Sequence, residues 1–274
     1  RKRTMKNNDI DNFVHKFIKK GSEVISLSDI VRERVPDYDI LDGRCPQEVY
    51  RFSSQLQRQG RVRVIKQWLF LILWDHNSAM SIVDIYDCYY WQIARAVIRD
   101  ECGGDYVLWW NKPLEFLLRD MSTPPTLVVY TRSTKKDISL GNGYKISFRT
   151  IARSMDSWES WRSKKAKNLF PTLKKYSELI KFDSCEFRIP LQEIALLEAL
   201  TERVSGELGT LLVEKFLKRP FIINEEILRD ASEWRYIQAI NRLRILSKKH
   251  KKHDLYEITL DLIARNGGWV FLPY

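Results

Sequence analysis

Cysteine is scarce in this sequence: only four occur among 274 residues, and no two of them form a C-x-x-C motif. Structural zinc sites usually take their ligands from such close pairs, and disulfide scaffolds need cysteines at a recognisable spacing. The sequence therefore predicts neither a metal site nor a disulfide framework, and we expect no cofactor. It indicates instead reduced thiols in a cytoplasmic protein. The four cysteines are Cys45, Cys88, Cys102 and Cys185.

Long apolar runs and the common catalytic motifs are also absent. The longest hydrophobic segment, residues 68–74, has the length of a strand and falls far short of the roughly 20 residues that cross a bilayer. No G-x-S-x-G, P-loop or H-E-x-x-H pattern occurs. These absences exclude a transmembrane protein and the commonest hydrolases and phosphate-binding enzymes. We therefore expect a protein that is not an enzyme, with no catalytic residue and no membrane partner.

Acidic residues are the minority charge: 35 Asp and Glu stand against 46 Lys and Arg, which leaves a net charge of +11. Residues 1–74 hold 15 basic and 9 acidic residues, a net charge of +6, so about half of the excess lies in the first quarter of the chain. A concentrated positive surface attracts polyanions and gives salt-dependent affinity for phosphates. The sequence therefore predicts nucleic acid as the partner of its N-terminal segment.

Three short helices are predicted in this N-terminal segment. Apolar residues repeat at helical spacing over residues 10–18, which predicts a helix lying on a core. Ser26 and Asp29 have the spacing of a capping box, so a second helix begins there. Pro46 suits a first helical position and Gly60 suits a C-terminal cap, and together they bracket the third helix.

A hairpin is predicted directly after the third helix. Basic and apolar residues alternate over 61–64, and the chain continues through Lys66 and Gln67 into the apolar segment 68–74. Alternation is typical of a strand, which places Lys66 and Gln67 at or near the tip of a two-stranded hairpin. Three short helices followed by such a hairpin form the winged helix-turn-helix arrangement, in which the third helix enters the major groove of DNA.

The outer face of the third helix and the hairpin carry the candidate DNA contacts. Arg51 and Arg58 can make bidentate contacts to guanine, and Gln47 and Gln55 can do the same with adenine. Hydroxyl groups on the same face can hold phosphates, and the basic residues of the hairpin can clamp the backbone. The alternative interpretation is that this polar, basic face is simply solvated. The predicted DNA-binding residues are Arg44, Gln47, Tyr50, Arg51, Ser53, Ser54, Gln55, Arg58, Arg61, Arg63 and Lys66.

The middle of the chain alternates between helical and strand patterns from Ile82 onward. Residues 141–143 read Gly-Asn-Gly and tolerate positive φ, so they close a second hairpin. Trp91, Trp109 and Trp110 could form a stacking surface for bases, but we favour burial because packing is the commoner use of tryptophan.

The last third of the chain is predicted to be mainly helical. Residues 153–186 are polar and basic, and we interpret them as a solvated helix, with a second phosphate-contacting face as the alternative. Helical spacing predicts a helix over residues 191–204 and further helices after it, and a closing strand is expected over 269–272. The predicted fold class is α+β. The predicted domains are a winged helix-turn-helix over 1–76, a mixed α+β domain over 77–152 and a mainly helical region over 153–274.

The order of these segments resembles the AbiEi-like antitoxins of type IV toxin–antitoxin systems. Residues 54–64 look like the recognition helix and wing of that family, a leucine, several polar residues, a glycine and then basic-apolar alternation. The middle and C-terminal segments that are similar, in the family's order, are 91–99, 107–118, 124–131, 146–149 and 190–200.

The resemblance implies a function that composition alone does not give. A member of this family would bind double-stranded DNA and repress its own operon through inverted repeats. Its C-terminal domain would counteract a nucleotidyltransferase toxin without forming a stable complex. Inverted repeats demand two copies of the protein on DNA, either as a homodimer or by cooperative binding of neighbours.

Two alternatives from other classes stay open at this point. Gly21 and Ser22, followed by Asp37 and Asp39, loosely match the glycine-serine and paired-aspartate pattern of metal-dependent nucleotidyltransferases. That pattern needs the aspartates on a strand beside the glycine-serine turn. The other alternative is a structural adaptor in a nucleoprotein assembly, in which the winged module binds protein or RNA.

Overall fold

The computed structural model of the chain describes residues 7–38, 45–133, 135–150, 169–182, 184–233 and 236–266. It is a mixed α+β protein, as the sequence predicts. The contacts divide the chain into two compact units. Unit 1 comprises the described residues of Arg1–Gly104, Ser139–Lys145 and Lys181–Glu186, and unit 2 those of Asp105–Ile138, Ile146–Ile180 and Phe187–Tyr274.

Unit 1 begins with three helices and a small sheet. Its sheet has the antiparallel strand order β1-β3-β2. Two further helices follow the sheet. The described elements are α1 (Asn7–Lys19), β1 (Val24–Ser26), α2 (Leu27–Arg34), α3 (Gln47–Arg58), β2 (Val62–Lys66), β3 (Leu69–Ile72), α4 (Ile82–Cys88) and α5 (Tyr90–Cys102).

Local signals set the ends of these elements as predicted. The Ser26 hydroxyl accepts a hydrogen bond from the Asp29 backbone N–H at 3.2 Å, and the Asp29 carboxylate accepts the Ser26 N–H at 2.9 Å. Gly60 follows α3 with a φ of +65°, a conformation that only glycine adopts without strain. The apolar face of α3, which includes Phe52, is buried, and the Phe52 and Phe13 rings lie 5.0 Å apart between centroids.

Unit 1 extends beyond residue 76 because α5 completes the hydrogen bonding of β1. The buried side-chain oxygen of Gln92 accepts the backbone N–H groups of Glu23 and Val24, at 2.8 and 3.0 Å. The guanidinium of Arg99 donates to the Asp29 carboxylate at the start of α2. A buried strand edge and a buried carboxylate are costly without such partners. Because α5 makes these contacts, it belongs to unit 1, whose first segment ends at Gly104.

The described residues from 105 onward form a four-stranded sheet, a two-stranded sheet and a helical C-terminal part. Most of them belong to unit 2, whereas residues 139–145 and 181–186 belong to unit 1. The larger sheet has the order β4-β5-β7-β6, and β8 pairs with β9. The described elements are β4 (Tyr106–Leu108), α6 (Lys112–Leu118), β5 (Thr126–Thr131), β6 (Ile138–Gly141), β7 (Tyr144–Arg149), α7 (Leu169–Lys175), β8 (Ser177–Phe182), β9 (Cys185–Pro190), α8 (Gln192–Ala199), α9 (Glu202–Leu217), α10 (Glu225–Glu233), α11 (Ile237–Lys249) and α12 (His253–Arg265).

Two parts of the sequence-based description of this region are wrong. Residues 177–182 and 185–190 form strands and not a solvated helix, and β9 is strand-like because alternate residues Cys185, Phe187 and Ile189 are fully buried. The helix predicted to run on from residue 191 ends at Ala199, and a second helix begins at Glu202. The strand predicted over 269–272 lies outside the described residues.

The core of unit 2 surrounds α8, whose residues Ile194, Leu196 and Leu197 are all fully buried. Of the tryptophans predicted to pack, Trp109 is buried and its ring lies 4.3 Å from that of Tyr130, whereas Trp110 is 37% exposed. In the described ranges, no helix is both long and apolar enough to cross a bilayer.

Candidate nucleic-acid interface

Most of the predicted DNA-binding residues that are exposed lie on the outer face of α3. Amphipathic spacing buries Val49, Phe52 and Leu56 on the other side of the helix. The side chain of Gln55 is half-buried. The predicted contact residues that are exposed on α3 are Gln47, Tyr50, Arg51, Ser54 and Arg58.

Arg51 and Arg58 place two guanidinium groups on this face of α3. Within the part of the chain that the structure describes, neither guanidinium makes a hydrogen bond or an ion pair. Seven residues separate them, which places both on one side of α3 about 10 Å apart along its axis. Each fork of donors is therefore open to solvent and to a ligand.

Ser53 does not belong to this face. Its side chain is only 5% exposed, and its hydroxyl donates to the Tyr50 carbonyl at 3.0 Å. The prediction that Ser53 holds a phosphate is therefore not supported by its position, because the hydroxyl is turned back onto the helix. The neighbouring Ser54 is exposed and keeps the predicted orientation.

The three basic residues predicted as wing clamps are all bonded within unit 1. Arg61 donates to the Asp11 carboxylate at 2.6 Å, and Arg63 donates to the Met80 carbonyl at 2.5 Å. The ammonium of Lys66 donates to the Ser139 carbonyl. A guanidinium carries five N–H donors and an ammonium three, so contact with a phosphate would either use other donors of these groups or replace these bonds.

One residue on the outer face was missed by the sequence analysis. The carboxylate of Glu48 lies 57% exposed in the first turn of α3, 3.9 Å from the guanidinium of Arg34. Arg34 itself lies over the Phe52 ring, 4.6 Å from its centroid. A carboxylate on this face can accept from the cytosine amino group and repels phosphate. Its position beside Gln47 on the same helical turn was the signal available in the sequence.

Among the described residues of the nucleotidyltransferase alternative, Asp37 and Ser22 do not lie in the setting that this chemistry requires. Asp37 is exposed in the turn after α2 and not on a strand. Ser22 is buried, and its hydroxyl accepts from Arg95 at 2.7 Å and donates to the Val24 carbonyl. Asp39, like the predicted DNA contact Arg44, lies outside the described residues. In the described segments, no three histidine, cysteine, aspartate or glutamate side chains are grouped so as to hold a metal ion.

Comparison with known proteins gives a similarity of fold. No model of a known protein family matches the sequence, and no curated protein matches it. Among solved structures, the crystal structure of the Rv2827c protein from Mycobacterium tuberculosis is similar, with a TM-score of 0.50 and 13% sequence identity. The similarity covers 98% of this chain and 84% of that protein. At this identity the comparison shows a shared fold and nothing of function.

Proposed function

We propose that the protein is a sequence-specific regulator of transcription that binds double-stranded DNA through α3. The observation that carries the proposal is the pair of guanidinium groups of Arg51 and Arg58 on the exposed face of α3, which make no hydrogen bond or ion pair among the described residues. Arginine donors in this position match the two acceptors of a guanine edge. The proposal includes no catalytic role.

The order of elements in unit 1 supports this use of α3. Three helices, with a short strand after the first, lead into the β2–β3 hairpin, and β1 pairs with β3. This order agrees with the one expected of a winged helix-turn-helix domain, in which the third helix lies in the major groove while the hairpin contacts the DNA backbone. The 12 residues of α3 give a helix about 18 Å long, enough to present Arg51 and Arg58 to the base pairs of one groove.

Charge supports the same partner. The net charge of +6 over residues 1–74 attracts DNA before any specific contact forms. Phosphate oxygens are stronger acceptors than the neutral carbonyls of Met80 and Ser139, because the bond to an anion is charge-assisted. Arg63 and Lys66 can therefore leave these carbonyls for the DNA backbone.

The antitoxin role within this proposal rests on the family resemblance. In that role the protein represses its own operon at inverted repeats and counteracts a nucleotidyltransferase toxin without a stable complex. A cytoplasmic location belongs to the same proposal, and it is supported by four cysteines that form no disulfide. Coexpression with a neighbouring nucleotidyltransferase gene tests it: we expect growth to be restored, and no rescue would remove the antitoxin role while leaving DNA binding intact.

The DNA-binding proposal is tested with the region upstream of the protein's own gene. We expect Arg51→Ala and Arg58→Ala each to weaken specific binding by about 1–3 kcal/mol and to relax the base preference at one position. Fluorescence anisotropy with specific and scrambled duplexes measures both effects.

The matched control is Arg265→Ala, which removes an exposed arginine from α12 in unit 2 and should leave affinity unchanged. If both α3 variants bind the upstream duplex with wild-type affinity and base preference, α3 does not read DNA.

A further inference from the structure

The surface of α9 exposes two leucines that unit 2 does not cover. Leu208 is 54% exposed and Leu211 is 60% exposed, and their spacing of three residues places them side by side on the helix. Burying exposed apolar surface of this kind against a second protein surface removes it from water and so favours association.

Opposite charges flank this leucine pair along the helix. Glu207 lies one turn before Leu211 and Lys215 lies one turn after it, and both side chains are exposed. Among the described residues the Glu207 carboxylate has no hydrogen bond or ion pair. Lys215 pairs with Asp120, but both side chains are about half exposed, at 50% and 55%, so solvent screens this contact.

The arrangement is complementary to a copy of itself. When two α9 helices pack antiparallel about a two-fold axis at Leu211, each Glu207 lies opposite Lys215 of the second copy. Leu211 of one helix then meets Leu211 of the other between two such charge pairs, with the Leu208 of each copy one turn away from this contact. A parallel arrangement would instead place like charges together, so the charge pattern selects the antiparallel one.

We infer that α9 forms a symmetric interface between two copies of this chain, with Leu208 and Leu211 at its centre and Glu207–Lys215 pairs at its ends. The inference deepens the proposed function, because inverted repeats need two copies, but the interface itself requires no DNA. It identifies a homodimer contact in the C-terminal part of the chain, away from α3 in the sequence.

The experiment measures self-association of the full chain without DNA by sedimentation velocity over a range of protein concentrations. We expect Glu207→Lys and Lys215→Glu each to raise the dimer Kd at least about tenfold, because each places like charges together at both ends. The double variant E207K/K215E should restore the wild-type Kd, since exchanging both charges recreates both pairs. Leu211→Glu should abolish the dimer.

The control is Glu257→Lys, the same charge change at an exposed position of α12, which should leave the Kd unchanged. A wild-type chain that stays monomeric at every concentration would overturn the inference, and so would a double variant as weak as the single ones. A failed interface and a failed proposed function are distinguishable: Leu211→Glu should still bind a single half-site duplex through α3, and this binding should still depend on Arg51.

Discussion

At the scale of single residues, the carboxyl group of Glu198 is an unusual feature of unit 2. It lies buried at the end of α8, where it accepts hydrogen bonds from the Tyr236 hydroxyl and the Trp109 indole. Burial disfavours the charged form and raises the pKa of Glu198 from 4.5 to about 7, while the two donors lower it by less. Because this pKa is higher in the folded state, Glu198 couples stability to pH.

We expect Glu198→Gln to remove part of the pH dependence of stability. Below pH 4.5 the carboxyl is protonated in both the folded and the unfolded states, and its contribution is fully present. Between pH 4.5 and about 7 the unfolded chain ionises first, so the wild type loses up to about 3 kcal/mol from this group as pH rises. The glutamine variant cannot ionise and should not show this loss.

Urea denaturation at several pH values between 4 and 8 measures the difference between the two proteins. Glu257→Gln, at an exposed position, is the control and should follow the wild type at every pH. Parallel curves for wild type and Glu198→Gln would contradict the assignment of a raised pKa to this carboxyl.

At the scale of elements, the backbone of the β6–β7 hairpin packs closely against the ring of Tyr86 at Gly141. Gly141 has a φ of +124°, and a Cβ atom there would lie 2.5 Å from the ring of Tyr86 on α4. The hairpin is held at the same place by the Tyr144 hydroxyl, which donates to the Asp87 carboxylate at 2.8 Å. Glycine is therefore required at position 141 for two reasons, backbone conformation and space.

We expect Gly141→Ala to lower the free energy of unfolding by about 2–3 kcal/mol, because strain at positive φ adds to a clash with the ring. Gly143→Ala is a matched comparison in the same turn. Gly143 also has positive φ, at +80°, but no atom lies within 4 Å of its added Cβ, so we expect a cost of only about 1 kcal/mol.

Chemical denaturation followed by fluorescence gives both values. Combining each substitution with Tyr86→Leu tests the cause, since removing the ring should bring the two costs together. Equal costs in the wild-type background would show that the ring plays no part.

At the scale of the whole molecule, the uneven charge distribution predicts how the proposed DNA binding depends on salt. The logarithm of the affinity should fall linearly with the logarithm of the salt concentration, with a slope of about −0.9 for each phosphate contacted. We expect Lys66→Gln to make this slope shallower by about 1, because its ammonium would exchange the Ser139 carbonyl for a phosphate.

Binding titrations between 50 and 200 mM salt, a range over which phosphate contacts dominate affinity, would measure the slope. Lys251→Gln, in an exposed turn of unit 2, should leave the slope unchanged. A wild-type slope for Lys66→Gln would show that Lys66 contacts no phosphate when DNA is bound.

Features that depend on near neighbours in the chain could be predicted from the amino-acid pattern. Side chains and glycines a few residues apart fix three such features. They are the Ser26–Asp29 capping box, the end of α3 just before Gly60, and the turn at residues 141–143. The helical spacing that makes one face of α3 apolar is equally local. These signals give the element order of unit 1 and the exposed arginines of α3.

The long-range partners of the side chains became visible only in the folded structure. Arg63 and Lys66 are held by carbonyls of Met80 and Ser139, which lie 17 and 73 residues further along the chain. β8 and β9 form in a polar, basic stretch because the alternate residues of β9 enter a core built by other elements. Gln92 joins α5 to β1 in the same way. Pairing and burial between distant segments depend on the assembled core, and no local pattern of residues carries that information.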